Sequence, residues 1–279
     1  MLKEWPLVAF TILGQMAVGV FLLTCFFLSV SWGTPFVDSR GTLLLDFALV
    51  LGSLVAAALI SFFHLRHPIR ARRVLSNLRT SWLSREILFE LGFMGLVALT
   101  GLQAWRGAER GGAFTGLLLA GCAAGALFLA SMSKLYMLPT LPAWNTVLTP
   151  LSFGLTTLIL GAMGLALILR LGGGPWHAPK LLLRSALMAL AIETVMVHYH
   201  LSRDGVRASR PIPSLRPPDT PPRFLRGARQ VTLTIGFALV VAVMATNDDR
   251  ILPPAFALIL AGEVAGRFLF YGLVTRPGR

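Results

Sequence analysis

Apolar residues along this chain fall in long unbroken blocks, not in the period-2 or one-faced patterns of a soluble fold. Eight blocks can be marked, at about 6–32, 43–65, 84–105, 112–135, 147–170, 180–201, 229–247 and 252–274. Most match the roughly 20 residues that a helix needs to cross the hydrocarbon layer. Turn and breaker residues separate several of them, such as Gly33 with Pro35, Gly172 to Pro175, and Pro253 with Pro254. The pattern predicts an all-α integral membrane protein, with residues 1–279 forming a single bundle of eight transmembrane helices. An even number of spans puts both termini on one side.

Composition sharpens this reading. Apolar residues make up 55% of the 279 positions and charged residues 13%, against about 25% charged in an ordinary soluble domain. The first block lacks a basic leader, and its run from Pro6 to Trp32 outlasts a signal-peptide core of about 7–15 residues. It is read as the first retained span. Cys25 and Cys122 each lie inside an apolar block, with no metal-site spacing. No iron–sulfur cluster and no metal site is therefore expected on this chain.

The net charge of +13 invites a nucleic-acid reading, but the positions of the charges argue against it. Seventeen of the 25 Lys and Arg fall at the termini or in the second, fourth and sixth connections, and seven fall on the opposite face. Basic residues are retained on the cytoplasmic side, so both termini are expected to be cytoplasmic. The surplus is a topology signal, with docking of an acidic partner or membrane lipid as a second use. The sixth connection, 202–228, carries six prolines and seven basic residues counted through Arg229. Such a stretch is not expected to form a regular helix and tends toward extended polyproline geometry, and reads either as a solvated linker or as an arm lying on a partner.

Ionisable groups inside spans are expensive and default to functional hypotheses. Here they are His64, Glu86, Glu90, Lys134, Glu193, His198, His200, Glu263 and Arg267, with Asp46 near a span start. Placed by their distance from the span ends, Glu263 falls near mid-bilayer and Asp46 alone on the opposite side, so nearly all of them belong to the half of the membrane on the terminal side. One-sided protonatable chemistry suits a lipid-soluble carrier that exchanges protons with one aqueous phase. A quinol, which releases two protons and two electrons on oxidation, is such a carrier, and needs a His or carboxyl within hydrogen-bond reach. Plainer readings stand beside this one. Glu263 and Arg267, four residues apart, are either a structural ion pair or part of a proton path. His198 and His200 suit headgroup contact, and Glu90 suits an exposed interfacial position.

The segment Phe63-His64-Leu65-Arg66-His67-Pro68-Ile69-Arg70-Ala71, followed by Arg79 to Glu86, resembles the second-to-third-span connection of a known family. That family comprises the membrane-anchor subunits of dimethyl sulfoxide reductase and of the cytoplasm-facing sulfite dehydrogenase, with Arg66 where the family usually has glycine. Glu4-Trp5-Pro6-Leu7 with Gly14-Gln15, Tyr136 with Pro142-Ala143-Trp144-Asn145, and Gly262 to Arg267 with Phe270-Tyr271-Gly272 extend the likeness along the chain. The resemblance implies a non-catalytic anchor in the cytoplasmic (inner) membrane of a prokaryote. It implies two partners: a molybdopterin catalytic subunit, and a four-cluster iron–sulfur subunit docked on the cytoplasmic face. Menaquinone or ubiquinone would be the substrate, with His64 and Glu86 central to the site and Pro68, Arg70 and Tyr136 lining it. Ser81 to Glu86 and Pro218-Asp219-Thr220 look more like the sulfite-oxidising anchors, whereas Glu4 to Leu7 looks more like the reductase anchors. The direction of electron flow stays open.

Two rivals stand beside this reading. A haem-b anchor would use His64 with His198 or His200 as axial ligands, though no second pair exists for the other leaflet. A small-anion transporter would use the interior Glu and Arg groups, but no broken spans meeting at the midplane are visible.

Overall fold

Among the described residues eight helices follow one another: α1 (Trp5–Val30), α2 (Arg40–Phe62), α3 (Trp82–Trp105), α4 (Gly112–Tyr136), α5 (Leu148–Leu171), α6 (His177–Arg207), α7 (Arg223–Thr246) and α8 (Leu252–Gly272). The computed structural model describes residues 5–30, 40–62, 77–108, 111–141, 144–207 and 223–272, with 30, 62, 197–207 and 223 described by their backbone alone. Among these residues the fold is entirely helical. Seven helices are long and apolar enough to cross a membrane. The remaining one, α6, carries Lys180, Arg184 and Glu193 along its length.

The helix boundaries follow the apolar blocks closely, with one instructive difference. Residues 202–207 and 223–228, expected to belong to the sixth connection, are helical extensions of α6 and α7. All six prolines of that connection lie between these extensions, and α7 begins at Arg223, immediately after Pro222. A proline breaks a helix that reaches it but is tolerated at or just before a helix start.

Two helices form the centre. α1 packs against α2, α4, α5 and α8, and α5 against α1, α2, α4, α6 and α8. They cross where neither presents a side chain: a Cβ on Gly161 would stand 2.5 Å from the Gly19 Cα, and one on Gly19 would stand 2.9 Å from the Gly161 Cα. Between lipid-embedded helices, where hydrophobic burial gives little drive, such backbone proximity supplies the packing contact. Phe21 of α1 then reaches outward. Its ring meets Phe93 of α3 edge-on at 5.2 Å and fills the space where Gly121 of α4 lacks a side chain.

At the end of the bundle away from the start of α1, Arg170 of α5 stacks on Trp176 and pairs with Asp249 at 2.6 Å. This ties the α5–α6 turn to the α7–α8 turn. In the latter, Asn247 takes a positive φ of 56°, a conformation Asn tolerates better than most residues.

Candidate functional site

Buried polar side chains concentrate where α1, α3, α5 and α7 begin and where α4 and α8 end. Antiparallel connection of successive helices brings these positions to one end of the bundle, the end that also holds the start of α1.

The entry to α3 shows how sequence builds one wall. Ser81 caps the helix by accepting from the Ser84 backbone N–H at 3.3 Å. Arg85 lies over the Trp82 ring at 4.3 Å and donates to the carbonyls of Leu78 at 2.9 Å and Arg79 at 2.7 Å. Ser81, Trp82 and Arg85 therefore fix the helix entry, and Glu86 faces the interior at 2% exposure. Glu90 follows one turn later and is also buried, which goes against the plainer reading that leaves it exposed. Oε1 of each carboxyl has no hydrogen-bond partner among the described residues. Burying an unpaired carboxyl is costly, and such a cost inside a membrane points to use.

Beside Glu86 stands an aromatic cluster. Tyr136 from the end of α4 is surrounded by Trp144 at 5.5 Å, Phe153 at 5.7 Å, Phe270 at 5.7 Å and Tyr271 at 5.4 Å between ring centroids. Trp144 stacks on Phe270 at 5.2 Å and donates its indole N–H to the Phe270 carbonyl at 3.0 Å, joining the α4–α5 connection to α8. The hydroxyls of Tyr271 and Tyr136 lie 2.9 Å apart, with Thr11 of α1 3.5 Å from Tyr271 Oη. Glu86 is close enough for its charge to act on both tyrosines.

A second polar layer lies one helical turn deeper. Arg267 sits over the Phe153 ring at 4.0 Å and donates to Gln15 Oε1 at 2.9 Å and Thr156 Oγ1 at 3.3 Å. Thr156 in turn donates to Glu263 Oε2 at 2.8 Å. Glu263 and Arg267 are thus linked through Thr156. The direct buried ion pair here is Arg229 of α7 with Glu193 of α6, at 3.0 Å. The first layer meets the second along α1 and α8, since Thr11 and Gln15, like Tyr271 and Arg267, are one turn apart on one helix face.

Of the expected site residues, Glu86, Tyr136, Glu263 and Arg267 come together in these two layers. His64, Pro68 and Arg70 lie outside the described residues, as do the side chains of His198 and His200 on α6. Lys134 is exposed at the end of α4. Asp46 is buried in the opposite half of the bundle beside Thr24 and Leu165, apart from the rest. Sequence reasoning gives no role to Gln15, Thr156 or Arg229. Gln15 and Thr156 are uncharged polar residues within apolar blocks, a signal that a search for ionisable groups passes over. Arg229 reads in the sequence as one of the charges of a connection, yet it is 8% exposed inside the bundle.

A helical bundle with membrane-spanning helices, whose buried ionisable groups other than Asp46 gather toward one end, defines a one-sided membrane subunit. The protein belongs to the family described as the DMSO reductase anchor subunit (DmsC), whose profile matches residues 1–273. It is similar to the anaerobic dimethyl sulfoxide reductase chain YnfH of Escherichia coli (strain K12), 31% identical with 99% of this chain and 96% of the relative covered. It is also similar to a second anaerobic dimethyl sulfoxide reductase chain of the same organism, 29% identical with 99% and 96% covered. A shorter stretch, 20% of this chain and 19% of the relative, is 46% identical to a sulfite dehydrogenase subunit of Allochromatium vinosum. The protein is a membrane anchor, and works as one subunit of a larger complex.

Proposed function

We propose that this anchor carries electrons between the quinone pool of a bacterial inner membrane and an iron–sulfur subunit docked on its cytoplasmic face, with a molybdopterin subunit beyond. All eight helices span the membrane in this reading, α6 included, because seven qualify on their own and α6 lies alongside α5 and α7 within the bundle. The bias of Lys and Arg toward the terminal face sets both termini in the cytoplasm. Residues 202–228 then lie on the cytoplasmic side, where their arginines suit an acidic partner surface.

The observation that carries the reading is the pair of buried carboxyls one turn apart on α3, Glu86 and Glu90, with Glu86 near the Tyr136 hydroxyl at the basic end of the bundle. Quinol oxidation sends two electrons toward the iron–sulfur subunit and two protons to side chains, and the reverse reaction takes both up. Glu86 exchanges one proton with the substrate oxygen, and His64, on the connection leading to α3, takes the other role. Pro68, Arg70 and Tyr136 are the further quinone-binding residues of this reading. Menaquinone and ubiquinone both fit this chemistry. It needs no haem on this chain, so a reduced-minus-oxidised spectrum without a b-type band is the expected companion result.

The test is quinol-linked turnover of the assembled complex. His64→Ala should leave assembly intact and abolish quinol-dependent turnover together with quinone-site inhibitor binding. Glu86→Gln should be milder, because the amide keeps a hydrogen bond and removes only proton exchange. Full quinol-linked activity in the His64 variant would end the assignment.

A further inference from the structure

Glu193 and Glu263 reach one another across the boundary between α6 and α8. Each is 3% exposed, and the two carboxyls are within interacting distance. One oxygen of each has a donor: Glu193 Oε1 receives the Arg229 guanidinium at 3.0 Å, and Glu263 Oε2 receives the Thr156 hydroxyl at 2.8 Å. The remaining oxygens, Glu193 Oε2 and Glu263 Oε1, are both buried and without a donor among the described residues. Two buried acceptors, one on each of two interacting acids, thus lack a donor. A single proton placed there satisfies both at once, whereas leaving both bare carries the desolvation cost twice.

We infer that Glu193 and Glu263 share one proton, forming a buried acid pair that relays protons between the interior of the bundle and the aqueous phase at the start of α7. Charge placement agrees with this. Arg229 lies against Gly266, whose missing side chain makes room for it: a Cβ there would stand 2.7 Å from Arg229 Nε. Arg229 compensates the Glu193 carboxylate directly. Arg267 directs its hydrogen bonds to Gln15 and Thr156 and its face to Phe153, so among the described residues Glu263 receives a neutral hydroxyl. On the inner side, Thr156 and Arg267 lead toward the Tyr271–Tyr136 hydroxyls. On the outer side, Arg229 stands in the second turn of α7, at the same end of the bundle as the candidate site. A proton arriving at Glu263 from the Thr156 side is held between the two acids and released from Glu193 toward the end of the bundle where α7 begins, so the route begins and ends on one face. The pair stands on its own geometry; only its use in quinol turnover rests on the function proposed above.

Infrared spectra of the assembled complex in membranes, compared in H2O and D2O, read protonated carboxyl groups through their C=O stretch. Glutamine is nearly isosteric with glutamate, and its NH2 supplies the missing donor in place of the proton. Glu193→Gln and Glu263→Gln are therefore each expected to remove the same exchangeable C=O component. If either variant does not accumulate, the other decides, because each alone must remove the component. Loss of no component, or of two separate ones, would overturn the shared proton. The relay is read separately, as quinol-dependent turnover falling roughly tenfold or more in both variants while quinone-site inhibitor binding persists. Unchanged turnover with the component gone would overturn the relay and leave the proposed quinone site intact.

Discussion

Arg267, one turn from the end of α8, donates to Gln15, in the first half of α1, across 252 positions of sequence. The bond joins the first helix to the last, and α5 completes the contact, because the same guanidinium nitrogen reaches Thr156 and the Phe153 ring lies beneath it. Three helices are thus held by one planar side chain in the buried half of the bundle.

That geometry predicts a non-conservative outcome for a conservative change. Arg267→Lys keeps the charge but loses the planar fork and the stacking on Phe153. The variant should lose about 1.5–3 kcal/mol, the range for hydrogen bonds made by a charged group. A melting temperature of the detergent-purified complex equal to that of the parent protein would show that the fork is dispensable.

The crossing of α1 and α5 yields a second prediction. Gly19→Ala would drive a methyl group into the backbone of α5 at Thr157 and Gly161, which no rotamer change relieves. Overpacking in a fitted core costs about 1–3 kcal/mol, and backbone collision belongs at the upper end. Gly154→Ala, on α5 itself but with open space around its Cβ position, should be near neutral. Membrane accumulation of the two variants, measured by immunoblot, should separate them. Equal accumulation would mean that the helices do not cross this closely.

How far the sequence discloses this arrangement depends on the kind of signal each residue leaves. Helix positions are legible because a membrane forces about 20 apolar residues per span, and the apolar block of α8 ends within two residues of the helix itself. Glu86, Glu263 and Arg267 are legible because charge inside an apolar block is conspicuous. Their partners are not. Gln15 and Thr156 carry no charge, and nothing in a linear sequence says that α1 and α8 touch. Arg229 is hidden for a related reason: it sits in a run of arginines and reads as one more solvated charge. Its burial depends on Gly266 standing opposite, which is a property of helix packing. The stretch from Ser81 to Glu86 shows the converse, a motif whose distinctive Trp82 and Arg85 are engaged in shaping the helix entry.

Asp249 supplies a pH-dependent prediction at the other end of the molecule. Hydrogen bonding from Arg170 holds its carboxyl below the usual value of 3.8. A carboxyl depressed in the folded state contributes stability above its unfolded value and loses that contribution as pH falls through its folded value. The latch between the α5–α6 and α7–α8 turns should therefore be complete at neutral pH and weaken only below the ordinary carboxylate range. Its exposure limits it to under about 1 kcal/mol. Asp249→Asn should lower the melting temperature slightly at neutral pH and leave a smaller difference from the parent in acid below that range. A difference that grew on acidification would contradict the assigned sign.

The two tyrosine hydroxyls offer the sharpest separation of stability from chemistry. Tyr271→Phe removes one hydroxyl of the 2.9 Å pair and leaves the ring cluster around Tyr136 unchanged in shape. The structural cost is that of one buried hydrogen bond, about 0.5–1.5 kcal/mol. If the hydroxyl pair links Glu86 to the Arg267 layer, the kinetic cost is larger. Proton transfer by a positioned group is worth at least about a hundredfold, so even partial loss should lower quinol-dependent turnover by roughly tenfold. Thr11→Val is the control: between helices it removes only the 3.5 Å contact to Tyr271, and the other hydroxyl bonds it loses are to the Leu7 and Val8 carbonyls of its own helix. Turnover that falls equally in both variants would mean that packing along α1, not the tyrosine pair, sets the rate.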